Sequence, residues 1–121
     1  MQKLRVSGYV GTASYLMHLA QKAEEKGINL RKDLFQEVAF VTGERLSEKM
    51  RNQLEKKFDI ILRQGYGTAD VGCIGYECFH KTGLHISNRC YVEICHPDTG
   101  IPLKDGEVGE IVVTSFNKTY P

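Results

Sequence analysis

Hydrophobic positions along this chain change period several times, and each change marks an element. Leu16, Leu19, Ala20 and Ala23 recur at i, i+3, i+4 and i+7, the stripe of an amphipathic helix, with Gln21, Lys22, Glu24 and Glu25 on the wet face. Thr12 and Ser14 are both suitable N-caps for this helix, and Gly27 supplies a left-handed stop. His18 lies within it as a surface or packing residue. A second stripe, Met50, Leu54 and Phe58, follows Ser47 as N-cap, with its lysines, arginine and glutamates turned to water. Short apolar runs flank the helices: Leu4 to Val10 closed by Gly11, then Val38-Ala39-Phe40-Val41, then Ile60-Ile61-Leu62-Arg63. Continuous runs of this length suit strands buried on both faces, as in parallel sheets. The second run, second helix and third run therefore make a strand–helix–strand unit with a right-handed crossover.

Past Gly83 the period becomes two. Arg89 to Cys95 alternates, His96-Pro97-Asp98-Thr99-Gly100 and Asp105-Gly106 read as turns, and Glu110 to Ser115 returns as a strand. The expected fold class is α/β: a βαβ parallel-sheet segment followed by an antiparallel, hairpin-rich β appendage. Residues 1–121 are expected to form a single domain fragment, with an α/β part over 1–72 and a mostly β part over 73–121. The chain opens almost directly into an apolar segment and stops at Tyr120-Pro121 just after a strand-like run, so it reads as an excised piece of a larger protein.

Composition excludes more than it selects. Hydrophobic content of 41% and charged content of 26% are ordinary for a globular chain, and a net charge of +1 gives no reason for a nucleic-acid partner. No apolar run approaches the roughly 20 residues of a membrane span, and no signal-peptide core is present, so a cytoplasmic location without membrane association is expected. The four cysteines, Cys73, Cys78, Cys90 and Cys95, are expected to be reduced and stand near His80, His85 and His96 without a Cys-x-x-Cys pair. On a regular strand Cys90 and Cys95 point to opposite faces, whereas Cys78 and His80 could share an ion. Small buried thiols and packing histidines are the alternative, and no zinc ligand is assigned.

The stretch Gln64 to Gly72 carries the densest chemistry. Its three glycines free the backbone to turn or to approach a ligand closely. Tyr66 offers a flat face, Thr68 a hydroxyl and Asp70 a carboxylate suited to a hard cation. Read as a loop, it would leave the sheet beside Thr42-Gly43-Glu44, outside the carboxyl ends of parallel strands where ligands of open α/β sheets bind.

Gly65-Tyr66-Gly67-Thr68-Ala69-Asp70 resembles the Tyr-Gly-x-Thr/Ser-Glu signature of the adenylate-forming (AMP-binding) acid–CoA ligases. Tyr76-Glu77-Cys78, Gly83-Leu84-His85-Ile86, Val92-Glu93-Ile94, Pro97-Asp98-Thr99-Gly100-x-Pro102-Leu103 and Gly106-Glu107-x-Gly109-Glu110-Ile111-Val112 are similar to the phenylacetate–CoA ligase branch. Ser14-Tyr15 opening a helix and Gly43-Glu44 before Leu46-Ser47 fit the same branch. The resemblance covers nearly the whole chain, as an internal fragment of the large N-terminal domain, and makes residues 1–72 its nucleotide-binding part.

The resemblance implies an enzyme that adenylates a carboxylic acid with ATP, releases pyrophosphate and forms the acyl-CoA thioester. ATP, Mg2+ and coenzyme A would be needed, an aryl acid such as phenylacetate would be the substrate, and the rest of the parent chain would be a partner. Gly43, Glu44 and Arg45 would lie on the adenine side, and Tyr66 would flank the adenine ring. Gly67, Thr68 and Ala69 would stand near the α-phosphate, Asp70 near magnesium, and Tyr15 at the acyl pocket.

Three departures from the family pattern stand out. Ala69 replaces a hydroxyl residue, Asp70 is one methylene shorter than glutamate, and Arg45 replaces a frequent proline. The family's lysine-bearing phosphate loop, ribose-binding aspartate and C-terminal catalytic lysine are not in this sequence. No catalytic set is complete here, and the segment alone is expected to be inactive. The competing reading is a non-catalytic nucleotide-binding or assembly module, with or without a structural zinc.

Overall fold

A computed structural model describes residues 3–116. Strands β1 (Gly8–Gly11), β2 (Val38–Val41), β3 (Ile61–Thr68), β4 (Gly72–Glu77) and β5 (Leu84–Ile86) form a five-stranded sheet in that order. Strands β6 (Cys90–Cys95) and β7 (Glu110–Ser115) form a separate antiparallel ribbon. Helix α1 (Ala13–Glu25) connects β1 to β2, and helix α2 (Glu48–Phe58) connects β2 to β3. The first pairings, β1 to β2 and β2 to β3, are parallel, and those from β3 to β4 and β4 to β5 are antiparallel. The α/β class with a parallel segment and an antiparallel β portion is what the molecule contains.

Local signals explain both helices. The Thr12 side chain accepts the Tyr15 N–H at the start of α1, and Ser47 accepts the Met50 N–H at the start of α2. Gly27, at φ +68°, follows the end of α1 as a left-handed residue. Ala13, Leu16 and Ala20 of α1, with Leu54 and Phe58 of α2, pack into one buried cluster with Ala39, Val41 and Leu62. This cluster places both helices over the strands whose carboxyl ends carry the site.

Several expectations are corrected. The first strand starts at Gly8, because Lys3 to Arg5 form a turn and Leu4 is exposed. The strands are not buried on both faces: Val38 and Ile61 are open, since the helices cover only the face carrying Ala39, Val41 and Leu62. The antiparallel pattern begins at Gly72, not after Gly83, and β4 and β5 extend the parallel sheet directly. Arg51 is not on a wet face but only 1% exposed, because it meets Glu77. The Tyr120-Pro121 end lies outside the described residues.

Candidate functional site

At the carboxyl ends of β2 and β3 lies a cleft of about 330 Å³. Phe40, Thr42 and Gly43 form one wall, and Gly65 to Ala69 the other, with Gly72 and Cys73 closing it. The motif is not the loop expected from its glycines. Gly65, Tyr66, Gly67 and Thr68 belong to β3 and pair with Tyr76, Gly75, Cys73 and Gly72 of β4. Glycine is required there for steric reasons. A Cβ on Gly67 would stand 2.2 Å from the Gly72 carbonyl oxygen, and one on Gly65 would stand 2.3 Å from the Phe40 ring. Strand and aromatic ring close to these distances only because no side chain intervenes.

Among the residues singled out from sequence, Gly43, Tyr66, Gly67, Thr68 and Ala69 converge on this cleft. Tyr66 is 43% exposed, leaving its ring available to a planar ligand. The Thr68 hydroxyl oxygen accepts the Val71 N–H at 3.2 Å, which shapes the hairpin turn. Asp70 is an exposed turn residue at the hairpin tip, beyond the cleft lining. Arg45 is exposed and off the lining, and Tyr15 is exposed on the first turn of α1. Glu44 is also off the lining, because its carboxylate accepts the Ser14 N–H and hydroxyl. Sequence reasoning passed over Phe40 and Cys73, and the small residues facing them were the only signal.

Behind β3 lies a buried polar network that sequence reasoning also missed. Arg51 donates to both carboxylate oxygens of Glu77, at 2.8 and 2.7 Å, and to the Leu62 carbonyl at 3.1 Å. Glu77 also accepts the backbone N–H and the side-chain amide of Gln64, each at 3.3 Å. Burial raises the Glu77 carboxyl, but the hydrogen bonds and charge of Arg51 outweigh it and hold the group below the usual carboxylate range. Burial lowers the Arg51 guanidinium, and bonding to Glu77 and Glu48 more than reverses that. The network joins α2, β3 and β4 at the residue before the glycine-floored stretch.

The cysteines and histidines do not assemble into a site. Hydrogen bonding to His85 and to the backbone at His80 pulls the Cys78 thiol below its ordinary value. Cys90 and Cys95 are buried at opposite ends of β6. Among the described residues, no three His, Cys, Asp or Glu side chains come together in a way that could hold a metal. Nor, among them, is any helix long and apolar enough to cross a membrane.

No family model matches the chain. It is 32% identical over 111 residues to a phenylacetate-coenzyme A ligase of Pseudomonas putida, covering 88% of this chain and 25% of that protein. A phenylacetate-coenzyme A ligase of Escherichia coli is 31% identical over 117 residues, with the same shares covered. The chain thus spans about a quarter of the length of these curated relatives. Among solved structures, an open conformation of 2-hydroxyisobutyryl-CoA ligase in complex with 2-HIB-AMP and CoA superposes with a TM-score of 0.83. It is 21% identical, with 94% of this chain and 28% of that one covered. A long-chain-fatty-acid-CoA ligase from Archaeoglobus fulgidus superposes with a TM-score of 0.70 at 15% identity, covering 94% and 25%. The fold is that of a segment of the acid–CoA ligases. In sequence, the chain resembles the phenylacetate-coenzyme A ligases over 88% of its length.

Proposed function

We propose that the full protein is an ATP-dependent acid–CoA ligase, and that this chain contributes the base and α-phosphate side of its nucleotide site. The observation that carries the reading is the cleft between Gly43 and Gly65 to Ala69, whose floor is kept free of side chains. Adenylation needs an acid oxygen held in line with the α-phosphorus and the departing pyrophosphate, so backbone must approach phosphate closely without steric obstruction. Gly67 and Thr68 provide such an approach. Tyr66 would cover one face of the adenine, and Gly43 would bound its edge. Thr68 can still donate its hydroxyl hydrogen, which makes it the substitute for the hydroxyl that Ala69 lacks.

Asp70, a hard oxygen donor at the hairpin tip, would hold magnesium, which would neutralise phosphate charge. Tyr15, on the first turn of α1, would stand on the acyl side. Coenzyme A would accept the acyl group in the second step, and an aryl acid such as phenylacetate is the first substrate to test. The 121-residue chain by itself is expected to be inactive.

The test is acid-dependent ATP–pyrophosphate exchange by the full protein across a panel of aryl and aliphatic acids. Exchange with an aryl acid is the expected result, and no exchange with any acid would end the reading. Asp70→Ala should then slow adenylation heavily, and an unchanged rate would remove its metal role.

A further inference from the structure

Glu44 and Ser14 lie 30 positions apart in sequence, yet they join the β2–α2 loop to the first turn of α1. One Glu44 carboxylate oxygen accepts the Ser14 backbone N–H at 2.5 Å, and the other accepts the Ser14 hydroxyl at 2.9 Å. First-turn N–H groups have no acceptor within their own helix, and the helix dipole favours a negative charge beside them. Thr12 serves the Tyr15 N–H locally, while Glu44 serves Ser14 from the neighbouring loop. Gly43, at φ +83°, turns the backbone between the cleft wall and this contact. Two further bonds fix the same corner: Thr42 N–H to the Gly11 carbonyl at 3.0 Å, and the Tyr9 hydroxyl to the Thr12 carbonyl at 2.8 Å. Burial, then the nearby Tyr15 and Glu44, push the Tyr9 phenol above its ordinary value, as expected for a crowded, negatively charged corner.

We infer that Glu44 is a positioning residue: by holding Ser14, it fixes the first turn of α1, which carries Tyr15, to the loop whose Gly43 walls the cleft, so acid selection and nucleotide placement share one joint. This rests on the ligase reading proposed above. Glu44 is then a brace between two substrate sides and not a nucleotide contact.

The experiment is exchange kinetics of the full protein and its Ser14→Ala, Glu44→Ala, Glu44→Gln and Ser14→Ala/Glu44→Ala variants, varying acid and ATP separately. Groups that act through one contact are non-additive. Glu44→Ala, which loses both bonds, should raise the KM for acid by about fivefold; Ser14→Ala, which keeps its backbone N–H, should raise it by less, and the double variant should be no worse than Glu44→Ala alone. Glu44→Gln should recover most of the loss, because its amide can accept the Ser14 N–H and donate to the hydroxyl oxygen. Additive effects, or a Glu44→Ala change confined to the KM for ATP with Ser14→Ala silent, would overturn the inference while leaving the ligase reading intact. A wild-type protein without acid-dependent exchange would overturn both.

Discussion

Two carboxylates tie distant parts of this chain together, and they do so in opposite surroundings. Glu77 meets Arg51 across 26 positions with both side chains 1% exposed, whereas Glu44 meets Ser14 across 30 positions at the surface. The buried pair gives up hydration on both ions, so it is tolerable only because every lone pair is used. The exposed pair keeps its water and contributes little to stability. The contrast separates two tasks: the buried tie holds β4 against α2, and the exposed tie holds the β2–α2 loop to the first turn of α1. A protein can lose the second and remain folded.

The largest expected effect comes from removing one ion of the buried pair. Glu77→Ala should cost about 3–5 kcal/mol, read from urea unfolding, because it strands the Arg51 charge. Replacing both with apolar residues of similar volume, Arg51→Met with Glu77→Leu, should recover most of that loss. If Glu77→Ala cost under about 1 kcal/mol, the pair would have to be ranked with the surface tie.

Acid should reach the same pair. Glu77 lies below its ordinary value of 4.5 in the folded state, so the unfolded chain binds the proton more tightly. The stabilisation is therefore fully present above about pH 4.5 and is lost as pH falls towards the folded-state value. The slope of stability against pH in that window should flatten in Glu77→Gln.

Gly67→Ala tests the cleft floor. Its methyl would strike the Gly72 carbonyl, and such overpacking costs about 1–3 kcal/mol. ATP affinity of the full protein, measured by titration calorimetry, should fall with it, and unchanged affinity would detach the cleft from nucleotide binding.

The smallest effect belongs to the exposed tie. Glu44→Ala, which removes a surface charge beside a helix start, should cost under about 1 kcal/mol and less still in 1 M salt. Equal salt sensitivity of Glu44→Ala and Glu77→Ala would erase the distinction between the two ties.

What could be read from sequence was local. Thr12 and Ser47 cap helices through their own next turn, and the run from Cys90 to Cys95 forms a strand as expected, although its two end cysteines, on opposite faces, are both buried. Arg51 could not be read, since an arginine on a lysine-rich helix looks solvated and its partner lies beyond the next strand. The motif's path was misread for a related reason. Gly65 and Gly67 have low strand propensity, but they face Gly75, Gly72 and the Phe40 ring, and only that pairing makes glycine the residue a strand needs there. Gly43 and Gly67 were placed on the same sheet edge because parallel strands share a direction, which topology supplies without any contact detail. The contact between Glu44 and Ser14 could not be read either, because nothing in the spacing joins that loop to a helix start 30 positions away.

The β3–β4 pairing shifts register between Tyr66 and Gly67, where Ile74 has no opposite number on β3. That unpaired residue acts as a phase marker. On one side of it Glu77 points to Arg51, and on the other Cys73 and Gly72 edge the cleft. Because Ile74 is the extra residue, deleting it would let the pairings on either side close into a regular ladder, with Tyr76 still opposite Gly65, and the strand would lose its local bend beside the cleft. The extra residue therefore shapes the cleft edge, while the register that brings Glu77 to Arg51 is set by the pairs beyond it.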